Sequence, residues 1–319
     1  MVLAAGLGTR LRPLTHAIPK PLLPIANRPI LEYTFSLLSR SGLGVEDVVV
    51  NTHHLPERLE DGLRSLDTRS LRVHLSREPK ILGTAGGPKK ARSLLEKGTF
   101  LLVNGDFLID IDLREVVDYH RRSGAQATMV LREDEEGGIF VDRQGRVRKV
   151  LGSPEETPAD WTRVDFTGIH VLEPEVLKLI PRNTPCEINL QVYPEMLRRG
   201  WTVAGLLHRG YWREAGDPAR YLAANREVIS GRAGGIAPPP GAGRLNPEET
   251  GWTSPLLVGE GAVIEAGARL GPGVVVGPEV HIGRGATVEN AVLLEGTDIP
   301  AGARVENEIR SPDSVLSAL

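Results

Sequence analysis

The sequence predicts an α/β fold, a mixed and mostly parallel sheet covered by helices, followed by a short parallel β-helix. Strand-like and helix-like segments alternate up to about residue 229, glycine loops close several strands, and an aliphatic residue recurs at every sixth position near the C-terminus. A length of 319 residues suits two domains.

The first strand, Met1-Val2-Leu3, is very short: either the true start lies upstream or the strand is clipped. Ile30 to Ser39 carries apolar residues at helical spacing (Ile30, Leu31, Phe35, Leu38), with Pro29 near its start. Val45 to Asn51 reads as a buried strand on the run Val48-Val49-Val50. Leu55 to Leu66 is helical and Leu71 to Leu75 alternates like a strand. Gly83 to Gly87 is expected as a second glycine loop, followed by a helix to about Leu95. Phe100 to Val103 is an apolar strand ending in Asn104-Gly105-Asp106. Two strands are expected around Gly137-Gly138 between Ala127 and Val150, with a hairpin turn at Asp142 to Gly145. Phe166 to Leu172 is a further strand, Glu175 to Ile180 starts a helix, and Leu190 to Arg199 is helical. Trp201 to Leu207 is the next extended stretch, and Pro218 to Ile229 the last helix. Ligands of such sheets bind at the carboxyl ends of strands, where both glycine loops and Asp106 fall.

Composition then changes. Gly231 to Gly251 is rich in glycine and proline, centred on Pro238-Pro239-Pro240, and reads as a linker. Beyond it the six-residue aliphatic period runs through Val258, Ile264, Leu270, Val276, Ile282, Val288 and Leu294. This divides the chain into a domain over 1–232, a linker over 233–251 and a repeat domain over 252–319. The repeats resemble the left-handed β-helix of hexapeptide-repeat proteins. At three hexads per coil they make about two and a half coils, too few to be robust alone. The stub is therefore expected to pack on the first domain or on another subunit, giving a homo-oligomer through the β-helix. An acyltransferase of that class needs a histidine between coils; His281, the one repeat histidine, is expected among outward turn residues, which favours a structural role.

A formal net charge of −3 and basic pairs flanked by acids (Lys89-Lys90, Arg121-Arg122, Arg198-Arg199) give no nucleic-acid-binding face. The single cysteine, Cys186, excludes an intrachain disulfide framework and a Cys-rich zinc site. His53-His54 lacks the partner spacing of a zinc pair. No signal-peptide pattern and no membrane-length apolar run is read, so a cytoplasmic protein with no membrane partner is expected.

The chemistry points to the first loop, Leu3-Ala4-Ala5-Gly6-Leu7-Gly8-Thr9-Arg10-Leu11-Arg12-Pro13, with Pro19-Lys20-Pro21 soon after. A glycine loop after a strand offers unobstructed backbone N–H groups to phosphate oxygens, and Arg10 and Lys20 add positive charge. It is not a dinucleotide fingerprint, whose third glycine would fall at Leu11, nor a P-loop, since no Gly-Lys-Ser/Thr closes it. The Gly-x-Gly-Thr-Arg-x-Arg-Pro string with its downstream Pro-Lys-Pro resembles the sugar-1-phosphate nucleotidylyltransferases.

That resemblance implies a Rossmann-like sheet of the nucleotide-diphospho-sugar transferase type. It implies that Ala4, Ala5, Gly6, Gly8 and Thr9 cradle a triphosphate, that Arg10 sits on the leaving pyrophosphate, and that Lys20 bridges the two substrates' phosphates. Asp106 would ligate Mg²⁺, the expected cofactor, and Asn104 would touch the sugar. The family's second metal carboxylate lies in Trp-x-Asp-x-Gly, whereas this chain reads Trp212-Arg213-Glu214-Ala215-Gly216, leaving Glu214 as the ligand and Asp217 as the fallback. A second departure is Gly152-Ser153, where relatives carry Glu-Lys. Glu78, Gly83 and Thr84 resemble the base-reading segment; a carboxylate there could accept from guanine N1–H and the 2-amino group, favouring GTP, although uridylyltransferases carry a similar acid. Gly138, Gly168 and Asn189 are the further sugar contacts. The arrangement looks most like mannose-1-phosphate guanylyltransferases, implying Mg²⁺-dependent transfer of GMP from GTP to mannose 1-phosphate. The alternatives are a UTP- or dTTP-using enzyme of the glucose-1-phosphate or N-acetylmuramate-1-phosphate type, and a non-catalytic regulatory paralogue that binds nucleotide sugar.

Overall fold

The alternation of short apolar runs with amphipathic segments becomes, in the computed structural model of the chain, strands and helices described over residues 1–69, 71–151, 158–237 and 252–318. Gly152-Ser153 and most of the expected linker lie outside the described residues. Through residue 109 the elements are Val2–Leu3 (β1), Pro24–Ile25 (β2), Arg28–Pro29 (β3), Ile30–Arg40 (α1), Asp47–Thr52 (β4), Pro56–Ser65 (α2), Arg72–Arg77 (β5), Gly83–Lys90 (α3), Arg92–Leu95 (α4), Phe100–Asn104 (β6) and Phe107–Ile109 (β7). Leu113–Ser123 (α5), Ala127–Glu133 (β8), Ile139–Val141 (β9), Val147–Val150 (β10), Thr162–Leu172 (β11), Tyr193–Arg198 (α6), Val203–Leu207 (β12), Trp212–Glu214 (β13) and Pro218–Ile229 (α7) follow. The chain forms two compact units, Met1–Gly6 with Phe35–Gly105 and Ile111–Gly210, and Leu7–Thr34 with Asp106–Asp110 and Tyr211–Leu319.

The first unit holds a nine-stranded mixed sheet with the order β10-β9-β11-β6-β1-β4-β5, while β8 joins β11 to β12. Short as it is, β1 sits centrally, parallel to β4 through Val2↔Val50 and to β6 through Val2↔Val103. The long strand β11 runs antiparallel to β6, β8 and β9. The two strands expected between Ala127 and Val150 are three, because the Asp142–Gly145 turn folds β10 back on β9. The Gly83–Gly87 stretch is not a loop but the body of α3, whose glycines meet neighbours too close for a side chain: a Cβ on Gly87 would lie 2.9 Å from Asn51 Nδ2. The helix start expected at Glu175 to Ile180 is a 3₁₀ turn over Pro174–Leu179, and a π-helical turn over Ile188–Val192 precedes α6.

A bulge interrupts β11: its register against β8 shifts between Phe166 and His170, and Gly168 there has φ +106°. His170 stacks on Phe166 at 4.1 Å, and the Tyr193 hydroxyl lies 2.6 Å from its Nδ1. Burial pushes the His170 pKa down to about 3 and raises that of Tyr193, so the phenol donates to a neutral ring. Below pH 6.5 the unfolded chain binds a proton on His170 that the native state refuses until about pH 3, so stability falls as pH falls, at about 1.4 kcal/mol per pH unit from this residue. Urea midpoints of the wild type and His170→Gln at pH 7 and 4.5 should show a shallower acid loss in the variant; equal slopes would contradict it.

In the second unit β2 pairs with β3, and β7 pairs antiparallel with β13. The repeat region supplies Leu256–Val258 (β14), Val263–Ile264 (β15), Arg269–Leu270 (β16), Val274–Val276 (β17), His281–Ile282 (β18), Thr287–Glu289 (β19), Val292–Leu293 (β20), Asp298–Ile299 (β21), Arg304–Glu306 (β22), Glu308–Ser311 (β23) and Ser314–Ser317 (β24). They stack in three ladders, β14-β17-β20-β23 with β24 added antiparallel, β15-β18-β21, and β16-β19-β22. This is more than the expected two and a half coils. The six-residue period also slips after Val288: Val276 pairs with Leu293, so Leu294 leaves the column. His281 lies on a strand rather than a turn, between Asp298 (2.6 Å) and Glu265 (3.2 Å). Inward-facing Leu270, Val276, Ile282, Val288 and Leu293 fill the β-helix, while Leu257, Val275, Val292 and Ile309 join a core with Tyr221, Leu222 and Val228 of α7. A small β-helix that cannot bury enough surface by itself is thus backed by a helix. Among the described residues no helix is long and apolar enough to cross a membrane.

Candidate active site

The second unit gathers the charged candidates. Gly8 has φ +60°, and a Cβ there would stand 2.8 Å from Thr15 Cγ2 and 3.3 Å from Lys20 Cβ, so only glycine fits the turn and the packing. The 3₁₀ turn Thr9–Leu11 buries Leu11, leaving Thr9 and Arg10 in solvent. A second 3₁₀ turn, Lys20–Leu22, tucks the Lys20 stem inside and brings Nζ to 2.6 Å from Asp106 Oδ2.

Asp106 and Glu214 become neighbours through strand pairing. Glu214 lies opposite Phe107, and the Ala215 N–H donates to the Asp106 carbonyl at 3.0 Å. The two Glu214 oxygens take one guanidinium each, Arg10 at 2.9 Å and Arg220 at 2.9 Å. Gly216 leaves room for that arrangement, since its Cβ would stand 2.8 Å from Arg10 NH2 and press on Glu214 Oε1. Asp217 caps α7, its Oδ1 accepting the Arg220 N–H at 2.9 Å, while Oδ2 lies 3.4 Å from Arg220 Nε. Among the described residues no group of three or more His, Cys, Asp or Glu side chains is placed to hold a metal.

The first unit holds the remaining candidates. Ala4 and Ala5 are buried and Gly6 is exposed. The Ala4 N–H donates to Asn51 Oδ1 at 2.7 Å, so this amide is spent on the chain rather than left for a phosphate. Glu78, expected at a base edge, is buried, with one oxygen accepting from Asn51 Nδ2 (2.8 Å) and the other from the Leu82 N–H (2.9 Å). Gly83 has φ +75° and its Cβ would stand 2.7 Å from the Cys186 carbonyl. Thr84 gives its N–H (3.1 Å) and hydroxyl (2.6 Å) to Glu187 Oε2, and the Ile188 N–H donates back to the hydroxyl at 2.8 Å. The Cys186 carbonyl and the Glu187 carboxylate thereby satisfy amides at the start of α3 from a distant part of the chain.

Asn104 ends β6 and is half-buried. Gly138 lies beside Leu151, Gly168 on the bulge, and Asn189 in the π-helical turn, where its buried Oδ1 has no hydrogen-bond partner among the described residues. Asn51, Glu187 and Arg220 were not legible as site neighbours. Arg220 alone carried a signal: a cation in a helix's first turn opposes the helix dipole and needs a compensating partner.

The family described as nucleotidyl transferase matches residues 1–231. The chain belongs to the nucleotidyl transferase family. Residues 252–317 match the domain described as the GMPPB C-terminal domain. This nucleotidyl transferase is 31% identical over 311 residues to a mannose-1-phosphate guanylyltransferase of Mycobacterium tuberculosis, covering 96% of this chain and 82% of that protein. It is 30% identical to a UTP–glucose-1-phosphate uridylyltransferase of Synechocystis sp., covering 97% and 86%. A crystal structure of HddC from Yersinia pseudotuberculosis shares the fold with a TM-score of 0.60 at 22% identity, over 71% of this chain and 97% of that one. The same protein complexed with GMP-PN gives 0.59 at 21% identity, over 71% and 97%.

Proposed function

We propose that this nucleotidyl transferase moves GMP from GTP to mannose 1-phosphate with release of pyrophosphate. The paired charges Lys20–Asp106 and Arg10–Glu214 at the ends of β7 and β13 carry the reading. The mannose-1-phosphate guanylyltransferase relative and the C-terminal domain match give the direction of the substrate choice.

A phosphate oxygen of the sugar phosphate attacks the α-phosphorus and forms the new P–O bond. The bond from that phosphorus to the β-phosphate's bridging oxygen breaks, and its electron pair leaves with pyrophosphate. No covalent intermediate is needed, so positioning and charge carry the rate. Lys20, tucked in but with its ammonium beside a carboxylate, offsets negative charge where the two phosphates meet, and Arg10, exposed on its turn, takes the leaving phosphates. The amides of Gly6, Gly8 and Thr9 are assigned to the triphosphate, Gly83 to the base, and Asn104, Gly138, Gly168 and Asn189 to the sugar.

Asp106 and Glu214, hard oxygen donors on neighbouring backbone, are the residues that would hold a magnesium ion, which would have to displace Lys20 from Asp106 and an arginine from Glu214. When bound, Mg²⁺ would neutralise phosphate charge as a Lewis acid. Asp217, already capping α7, is the weaker candidate ligand.

The uridylyltransferase relative supports a second reading, UTP with glucose 1-phosphate. The test is pyrophosphate release from a panel of nucleoside triphosphates against sugar 1-phosphates. GTP with mannose 1-phosphate is expected to give the highest kcat/KM. A UTP–glucose maximum replaces it with the second reading, and no release from any pair leaves a nucleotide-sugar-binding regulator.

A further inference from the structure

We propose that Arg220 is a binding residue for the leaving pyrophosphate, an inference that rests on the transfer reading above. Arg220 occupies the third position of α7, after Asp217 at the cap and Pro218. A cation there faces the positive end of the helix dipole, which disfavours it. The same helix end favours an anion.

The geometry around Glu214 shows what such an anion would meet. Arg10 and Arg220 approach its two oxygens from two different stretches of chain, each at 2.9 Å, so one anion bridges two guanidinium groups. Both arginines are more than half exposed, at 57% and 51%. Exposed ion pairs of this kind contribute little, so exchanging the carboxylate for another anion costs little. Pyrophosphate offers more charge and more oxygens to the same pair, and guanidinium–phosphate bonds are charge-assisted and can be bidentate. Arg220 spends Nε on Asp217 and NH1 on Glu214, and its other N–H groups have no partner among the described residues. When the α-phosphorus bond breaks, the charge gained by the departing oxygen is balanced by Arg10 and Arg220 together, and no proton moves from either.

The test runs the reaction backwards and measures binding separately. Arg220→Gln keeps length and polarity but removes the charge, and Arg220→Lys restores charge without the planar fork. Arg220→Gln is expected to raise the KM for pyrophosphate about tenfold or more, while the KM for the nucleotide sugar stays within about twofold. Calorimetric titration with magnesium pyrophosphate should show a matching loss of affinity, with Arg220→Lys in between. Unchanged pyrophosphate affinity in Arg220→Gln, with a shifted half-saturating Mg²⁺ concentration, would make Arg220 only a holder of Glu214 and overturn the proposal. A wild type that binds pyrophosphate through Arg220 in calorimetry yet turns over no substrate pair would sink the transfer reading while this assignment stands.

Discussion

Lys20→Met is expected to lower kcat for pyrophosphate release by about two to three orders of magnitude, equivalent to about 3–4 kcal/mol of lost transition-state stabilisation. Methionine keeps the aliphatic stem that fills the space beside Gly8, so the packing survives and only the charge goes. The partner left behind, Asp106, is 31% exposed and can be hydrated, so its stranded charge should cost little stability. A variant with a near-native urea midpoint and collapsed turnover is therefore the expected result. Turnover within about threefold of the wild type would remove Lys20 from the reaction. Lys20→Arg should rescue poorly, because a planar guanidinium cannot occupy the point position of an ammonium held inside a 3₁₀ turn.

What the sequence made legible follows from how local each signal is. The helix over Pro218–Ile229 was readable in outline because its start is written locally, with Pro218 at the first turn. The β-helix was readable because one aliphatic residue per hexad is a repeated demand, although the slip that sends Leu293 rather than Leu294 onto Val276 follows from a shortened coil that no single hexad reveals. Gly83–Gly87 misled because glycine has two uses. Here it permits close approach of Asn51 and Glu78 to a helix, and the helix start is satisfied by Cys186 and Glu187, about a hundred residues away. The charged candidates Arg10, Lys20, Asp106 and Glu214 were named from motif spacing, but their pairing was not. It depends on where the 3₁₀ turns that carry Arg10 and Lys20 meet Asp106 and Glu214 at β7 and β13, a tertiary fact. The reading of Asp217 met the same limit: its carboxylate was weighed for a metal, and its position before a helix gave it a cap.

Glu78 makes that limit measurable. Its carboxylate is buried and faces two donors, Asn51 Nδ2 and the Leu82 N–H, while Asn51 Oδ1 in turn holds the Ala4 N–H. Glu78→Ala strands two buried donors and should destabilise the protein by about 3 kcal/mol. Glu78→Gln should also destabilise, by about 1–2 kcal/mol, because one end of the amide must turn N–H against N–H. Asn51 cannot flip to relieve this without releasing Ala4. Both variants should thus lower the urea midpoint and raise the KM for the triphosphate, since slack at Asn51 passes to Ala4 at the head of the glycine loop. The ratio of kcat/KM between GTP and UTP should stay within about twofold. A Glu78→Gln protein as stable as the wild type, with its base preference changed, would show instead that this carboxylate reads the base, and that Asn51 and Leu82 hold it in place for that purpose.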